Sequence, residues 1–235
     1  MKPLTADIFS MVLDAGEMAS AAQPGQFVHI RCGEGHLLRR PISICDAWED
    51  NLRIVFQVRG TGTDWLAKRT VGERLDVLGP LGNGFDLSGD KPILLVGGGI
   101  GTAPLLLLCK ELCRAGVRPD LFVGFRDTTY GMDRFVPWCR DIYAATDSGK
   151  EGHHGLVTDL LDVSKYDIVL TCGPMVMMRG VAKLCAAAGV PCLASLEKKM
   201  ACGLGACLGC TCHTKIGPVT VCKDGPVFNA QEVFD

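Results

Sequence analysis

Four cysteines near the C-terminal end constrain this chain most: Cys202, Cys207, Cys210 and Cys222, in the order C-x4-C-x2-C, then eleven residues, then C. Four thiolates at this spacing are the ligand set of a [2Fe–2S] cluster. Their segment must wrap a compact inorganic core rather than run on as a helix or strand. Its glycines agree. In Met200-Ala-Cys-Gly-Leu-Gly-Ala-Cys-Leu-Gly-Cys210, Gly203, Gly205 and Gly209 carry no Cβ and can take positive φ. A loop that aims backbone N–H groups at sulfur needs that freedom. Structural zinc sites usually read as two C-x2-C pairs or as a Cys/His mixture, and only one short pair exists here.

The other nine of the thirteen cysteines need a different account. Met1-Lys-Pro-Leu-Thr-Ala-Asp7 has no apolar core of a signal peptide, so the expectation is a reducing, cytoplasmic setting with metal or redox use of thiols rather than disulfides. Cys109, Cys113 and Cys185 lie in apolar helical patterns and read as small buried hydrophobes. The longest apolar run, 93–109, is broken by Gly97-Gly98-Gly99, Gly101 and Pro104, too short and glycine-rich to span a membrane. A formal net charge of −2 gives no general attraction to nucleic acid.

Three textures follow one another. Residues 1–88 show short β-patterned runs (Phe27–Ile30, Ile42–Ile44, Leu52–Val58, Leu75–Leu78) separated by glycine-rich turns, as in a small antiparallel β-barrel. Residues 89–190 alternate strand and helix: Pro92–Val96, a helix over Ala103–Ala115, Asp120–Phe125, Ile168–Thr171, then a helix over Met175–Ala188 stopped by Gly189. That alternation predicts a doubly wound parallel α/β sheet. Residues 191–235 form the cluster region.

Several motifs on these elements bear chemistry. Arg39-Arg40-Pro41-Ile42-Ser43 offers a guanidinium fork for phosphate and a hydroxyl for a flat ring nitrogen; alone, it is also what a solvated strand end looks like. Arg59-Gly60-Thr61-Gly62-Thr63-Asp64 precedes a helical turn whose free N–H groups suit phosphate, or it is a hairpin turn. Gly97-Gly98-Gly99-Ile100-Gly101-Thr102 follows a strand and opens a helix, the setting a dinucleotide pyrophosphate requires, though the strict G-x-G-x-x-G pattern is absent and a plain tight turn is the alternative. Cys172-Gly173-Pro174-Met175 ends a later strand, where open α/β sheets bind ligands. It leaves flat room for a nicotinamide, or it is a strand-to-helix turn with a buried thiol. His153-His154 reads as an exposed loop. Lys198-Lys199 is a solvated pair standing just before the cluster loop.

Taken in order, these motifs resemble the ferredoxin-reductase-like flavoprotein superfamily with a C-terminal [2Fe–2S] domain. More closely, the chain resembles the electron transfer subunits of dihydroorotate dehydrogenase B. The resemblance rests on Pro24–Phe27, Leu38–Ser43, Gly62-Thr63, Gly79–Phe85, Gly97–Pro104, Cys172–Pro174, Met200–Cys207 and Asp224–Phe228, and runs nearly end to end.

It implies that Arg40, Pro41, Ile42 and Ser43 hold the FAD isoalloxazine and phosphate, that Phe56, Gln57 and Val58 line the FAD, and that Gly62 and Thr63 bind its pyrophosphate. It implies an NAD site from Gly97, Gly98, Gly99, Ile100, Gly101 and Thr102 with Cys172, Gly173, Pro174 and Met175. It implies Cys202, Cys207, Cys210 and Cys222 as cluster ligands, with Cys212 a bystander. Arg126 and Asp127, after the second strand of the sheet, leave NAD and NADP both open on the residues; the family implies NAD. The implied partner is an FMN-containing catalytic subunit, two copies of each chain forming a heterotetramer. Dihydroorotate would be oxidised there, and electrons would pass through the cluster and FAD to NAD in pyrimidine biosynthesis. The cluster region would form much of the interface. Two alternatives stand beside this: a diaphorase subunit of a hydrogenase, sulfite reductase or ferredoxin–NADP transhydrogenase, and a non-enzymatic cluster or zinc sensor on a reductase fold.

Overall fold

The computed structural model describes residues 1–86 and 92–234. The expected division at 88/89 therefore lies outside the described residues. The first strands are β1 (Lys2–Pro3), β2 (Ile8–Asp14), β3 (Phe27–Ile30), β4 (Arg40–Trp48), β5 (Asn51–Gln57) and β6 (Val77–Leu81), with short helices α1 (Glu17–Ser20) and α2 (Thr61–Ala67). They form one antiparallel sheet in the order β1-β2-β5-β4-β3-β6. Side chains alternate across a strand, and β5 shows the consequence. Leu52, Ile54 and Phe56 enter a core with Val28, Ile30, Ile44 and Leu66. Val55 points the other way and joins a second core under the next domain.

The second sheet has seven strands: β7 (Ile93–Gly98), β8 (Asp120–Phe125), β9 (Ile142–Thr146), β10 (His153–His154), β11 (Ile168–Cys172), β12 (Cys192–Ser195) and, after a two-stranded hairpin of β13 (Thr211–Thr214) and β14 (Gly217–Thr220), β15 (Val227–Asn229). Their order is β10-β9-β8-β7-β11-β12-β15. All pairs are parallel except β12–β15. Helices α3 (Leu105–Arg114), α4 (Met175–Ala188) and the short α5 (Ala230–Val233) complete the chain. Among the described residues no helix is long and apolar enough to cross a membrane.

β3, β8 and α4 match the sequence expectation at both ends, and Gly189 closes α4 at φ 68°. Other elements differ. β4 runs nine residues rather than Ile42–Ile44 alone. β7 continues through Gly97 and Gly98. A 3-10 turn over Gly99–Thr102 precedes α3, which starts at Leu105. Strands β12 and β15, at either end of the cluster region, pair with each other, and β15 is an edge strand of the sheet.

α3 joins the two sheets. Leu105, Leu106, Leu108 and Leu112 pack on the parallel sheet, whereas Leu107 enters the core of the antiparallel one. On the same helix, Lys110 donates to both carboxylate oxygens of Asp46 on β4, at 2.7 and 2.8 Å. The lysine and aspartate side chains are 17% and 6% exposed. The ammonium also lies 5.9 Å from the Trp48 ring and 5.6 Å from that of Trp138. Removing one member of a buried pair strands the other charge. Lys110→Met is therefore expected to cost about 3–5 kcal/mol in urea unfolding, and Asp46→Leu/Lys110→Met to recover most of that loss; equal losses in the single and double variants would contradict it.

Candidate functional site

Strand β12 leads out of the sheet at Ser195 and β15 returns to it at Val227, paired Leu193 to Asn229, Ala194 to Phe228 and Ser195 to Val227. The cysteine loop is the excursion between them. Gly203 (φ 74°) and Gly205 (φ 80°) take the left-handed region that favours glycine. Five backbone amides turn onto the four sulfurs: Leu204 and Cys207 N–H donate to Cys202 Sγ at 3.4 Å, and Gly205 N–H to Cys222 Sγ at 3.1 Å. Gly209 N–H donates to Cys207 Sγ at 3.5 Å and Cys222 N–H to Cys210 Sγ at 3.4 Å. Donors placed this way stabilise thiolates.

Two of these bonds join the cysteines in pairs, Cys207 N–H to Cys202 Sγ and Cys222 N–H to Cys210 Sγ. Among the described residues no three Cys, His, Asp or Glu side chains gather as they would around one metal ion. Four thiolates in two such pairs would fit a binuclear cluster. Cys207 is exposed and Cys202 half-buried, while Cys210 and Cys222 are buried. Cys212 packs against the adjoining apolar core, and burial pushes its thiol up.

The loop rests on the antiparallel sheet. Asn83 donates from its side chain to the Lys223 and Asp224 carbonyls at 2.8 and 3.2 Å, and from its backbone to Gly225 at 2.7 Å. Behind that sheet edge lie the flavin candidates. Arg40, Pro41, Ile42 and Ser43 pair with Ile30, His29, Val28 and Phe27. The Arg40 guanidinium lies over Gly62, where a Cβ would fall 2.5 Å from Nε, so the strand motif and the Gly62-Thr63 turn share one place. Arg39 is spent on structure, its guanidinium on the Asp76 carboxylate at 2.8 Å. Thr63 Oγ accepts from Arg59 N–H at 2.9 Å. The Phe56 side chain belongs to the core, stacked on Phe9 at 6.0 Å. Gln57 donates to Asp7 at 2.6 Å and accepts from Arg59 Nε at 2.8 Å, and Val58 N–H donates to the Asp7 carbonyl at 2.8 Å. An open cavity of about 510 Å³, lined by Arg31, Gly33, Gly35, His36, Leu37 and Arg39, adjoins this turn, where His36 Nε2 meets Thr61 Oγ at 3.0 Å.

At the C-terminal edge of the parallel sheet the two nucleotide candidates interlock. Cys172 is in register with Gly97. A Cβ on Gly101 would lie 2.6 Å from Gly173 Cα, and one on Gly98 would lie 2.6 Å from Pro174 Cδ. Gly97 and Gly98 are strand residues whose lack of side chains admits Thr102 and Met177. The Thr102 hydroxyl is buried with no hydrogen-bond partner among the described residues, a donor free for a bound group beside Gly99 and Ile100. Met175 opens α4, half-exposed. Burial pushes the Cys172 thiol up to about 12, with nearby Glu197 acting in the same direction, so it stays protonated.

Glu197 belongs to no motif. Only the β11–β12 register, which sets Cys172 beside Ser195, brings it here. Its side chain still reaches solvent, but crowding raises its carboxyl above the ordinary range, and Arg59 pulls it back. Asp127 is ion-paired with Lys150 at 3.0 Å, beside Arg126. His153 and His154 form the exposed edge strand β10, His153 lying 3.7 Å from Asp159.

Residues 197–234 match the family model described as the iron–sulfur cluster binding domain of dihydroorotate dehydrogenase B. The dihydroorotate dehydrogenase B (NAD+) electron transfer subunit of Clostridium perfringens is 42% identical over 233 residues, covering 98% of this chain and 93% of its own. The chain belongs to the family of dihydroorotate dehydrogenase B electron transfer subunits. The Bacillus mycoides member is 40% identical over 248 aligned positions, covering 99% of this chain and 95% of its own. Among solved structures, a chain of an NADH-dependent reduced ferredoxin-NADP oxidoreductase superposes with a TM-score of 0.90 at 31% identity, over 99% of this chain and 87% of that one. The FAD/NAD-binding domain of a nitric oxide dioxygenase from Vibrio cholerae, 19% identical with a TM-score of 0.67 over 80% of this chain and 90% of its own, shares the fold. An electron transfer subunit of this family is part of an oxidoreductase.

Two outcomes follow from the geometry. Gly101→Ala forces the two nucleotide turns apart, so KM for NADH is expected to rise on the order of tenfold or more with flavin content unchanged; an unchanged KM would contradict the shared site. In cluster-free protein, the amides of Leu204 and Cys207 bring the Cys202 thiol down to about 6, whereas burial pushes Cys222 up to about 12. Iodoacetamide at neutral pH should therefore label Cys202 and spare Cys222, as peptide mapping would read.

Proposed function

We propose that this chain carries electrons between an FMN-containing dihydroorotate dehydrogenase catalytic subunit and NAD+. Residues 1–88 would hold FAD, 89–190 NAD, and 191–235 a [2Fe–2S] cluster on Cys202, Cys207, Cys210 and Cys222. The observation that carries this is the pairing of the four thiols under five backbone amides at the boundary of the two sheets. Bound FAD exchanges a hydride with a nicotinamide and single electrons with a cluster, so it joins the two carriers.

The chain's own residues then have defined tasks. The Arg40 guanidinium and the Gly62-Thr63 turn bind the flavin's phosphates, and Pro41, Ile42 and Ser43 present β4 to its ring. Phe56, Gln57 and Val58 contribute as the neighbouring strand, Phe56 from the core side. The glycines of the 97–102 turn admit the NAD pyrophosphate. Cys172, Gly173 and Pro174 leave space for the nicotinamide beside the flavin, with Met175 at its rim. Cys172 as a neutral thiol adds no charge to the cleft, and Glu197 with Arg59 frames it. Cys207 stands exposed between the exposed Leu204 and Leu208. This favours docking of the catalytic subunit on the cluster loop, in a cytoplasmic heterotetramer of two chains of each kind.

A second proposal has one specific support, the 31% identity to a chain of an NADH-dependent reduced ferredoxin-NADP oxidoreductase: a diaphorase-type subunit serving a ferredoxin-linked partner. Native purification separates the two. The expected result is FAD and a [2Fe–2S] cluster in this chain, with a co-purifying FMN protein that oxidises dihydroorotate. A ferredoxin- or hydrogenase-type partner would establish the second proposal, and native protein without flavin would overturn both. In the complex, Cys207→Ser should keep reduction of FAD by NADH and lose dihydroorotate-dependent NAD+ reduction; retention of the latter at the parent rate would contradict the cluster's place in the route.

A further inference from the structure

Strand β3 faces two ways. Val28 and Ile30 enter the core of the antiparallel sheet. Phe27 and His29, alternating with them, face outward, and Phe27 packs with Met200, Cys210, Val221 and Cys222 of the cluster region. His29 is fully buried, and neither ring nitrogen makes a well-formed hydrogen bond among the described residues, although the Arg39 and Cys202 backbone lies near the ring. A Cβ on Gly203 would stand 2.7 Å from its Nδ1. The ring therefore lies against the residue that follows Cys202. Along the sheet, His29 is the register partner of Pro41, inside the Arg40–Ser43 motif. One side chain thus spans the gap between the strand of the flavin motif and the first turn of the cluster loop. An imidazole ring carries at least one N–H to donate. A buried donor without an acceptor is unfavourable, so a role at this junction is the economical account of a histidine where an apolar residue would pack.

We propose that His29 is a positioning residue for electron transfer between flavin and cluster: its ring N–H, directed at the Cys202–Gly203 turn, seats the cluster loop on β3 and sets the cluster's potential. It rests on the FAD and cluster assignments above. One-electron reduction adds a negative charge to the cluster, and a donor beside the turn of a ligand cysteine stabilises that charge. Loss of the donor should lower the potential and slow transfer from reduced FAD.

The test uses native, cofactor-loaded complex with His29→Leu, which removes the donor, and His29→Gln, which keeps an N–H. Redox titration followed by the EPR signal of the reduced cluster gives the potential, and stopped-flow after NADH addition gives the rate at which the cluster bleaches. In His29→Leu the cluster's reduction equilibrium is expected to fall on the order of tenfold, about 59 mV for one electron, and transfer to slow by a similar factor. His29→Gln should restore most of both. His29→Phe, which keeps a ring without nitrogen, replaces Leu if that variant does not fold. Folded, fully loaded His29→Leu or His29→Phe within twofold of the parent in both quantities would overturn the proposal. So would a Gln variant that changes as much as Leu, since packing alone would then be the cause. A parent chain without flavin or cluster would overturn the assignments beneath it, a separate and visible failure.

Discussion

Three residue pairs at the edge of the parallel sheet hold the rest of the arrangement in place. Leu193–Asn229, Ala194–Phe228 and Ser195–Val227 join β12 to β15 and close the cysteine loop at its base. Leu196 N–H, donating to the Pro226 carbonyl at 2.8 Å, extends the closure by one step. Because β12 also pairs with β11, the same short strand sets Ser195 beside Cys172. Anchoring the cluster loop and shaping the cleft proposed for nicotinamide are therefore one structural event. The Asn83 bonds to Lys223, Asp224 and Gly225 then lay the loop on the antiparallel sheet. Three candidate sites meet because two ladders and one asparagine leave the loop no other seat.

The thiols divide the loop into an inner and an outer half. Cys210 and Cys222 are buried in the core shared with the sheet, and Cys207 reaches solvent. Such polarity suits a carrier with one face toward a partner and one toward its own cofactor. The neutral Cys172 thiol and the interlocked glycines at 97–101 and 173 serve the other end. At Gly97, Gly98, Gly101 and Gly173 the backbone makes a close approach that a side chain would block. Lys110, held on Asp46 between two tryptophan rings, ties the helix after the 97–102 turn to the strand that carries Arg40–Ser43.

What could be read from residues alone was local. Phe27–Ile30, Asp120–Phe125 and Met175–Ala188 declare themselves by β-branched and aromatic runs or by helical spacing with a terminal glycine. The four cysteines and the 97–102 and 172–175 turns are visible as motifs in the chain; the pairing of the thiols is not. What was not legible depends on partners distant in sequence. Nothing in Cys192–Ser195 or Val227–Asn229 says that they pair with each other across the cluster loop, so the cluster region looked separate from the sheet it completes. β2 (Ile8–Asp14) alternates poorly because both of its faces touch other parts of the protein. His29 and Glu197 have no motif, and only register brings either one to a site. Nothing in the sequence distinguishes Arg39 from Arg40; Asp76, far along the chain, takes the Arg39 guanidinium.

The proposed function requires electrons to pass from nicotinamide to cluster within one chain. Anaerobic stopped-flow on the native protein, following flavin and iron–sulfur absorbance separately after NADH is added, tests it most directly. Flavin is expected to bleach first and the cluster second, the second phase having a rate independent of protein concentration. A cluster phase that is absent, or whose rate rises in proportion to protein concentration, would mean that electrons cross between molecules rather than through the fold described here.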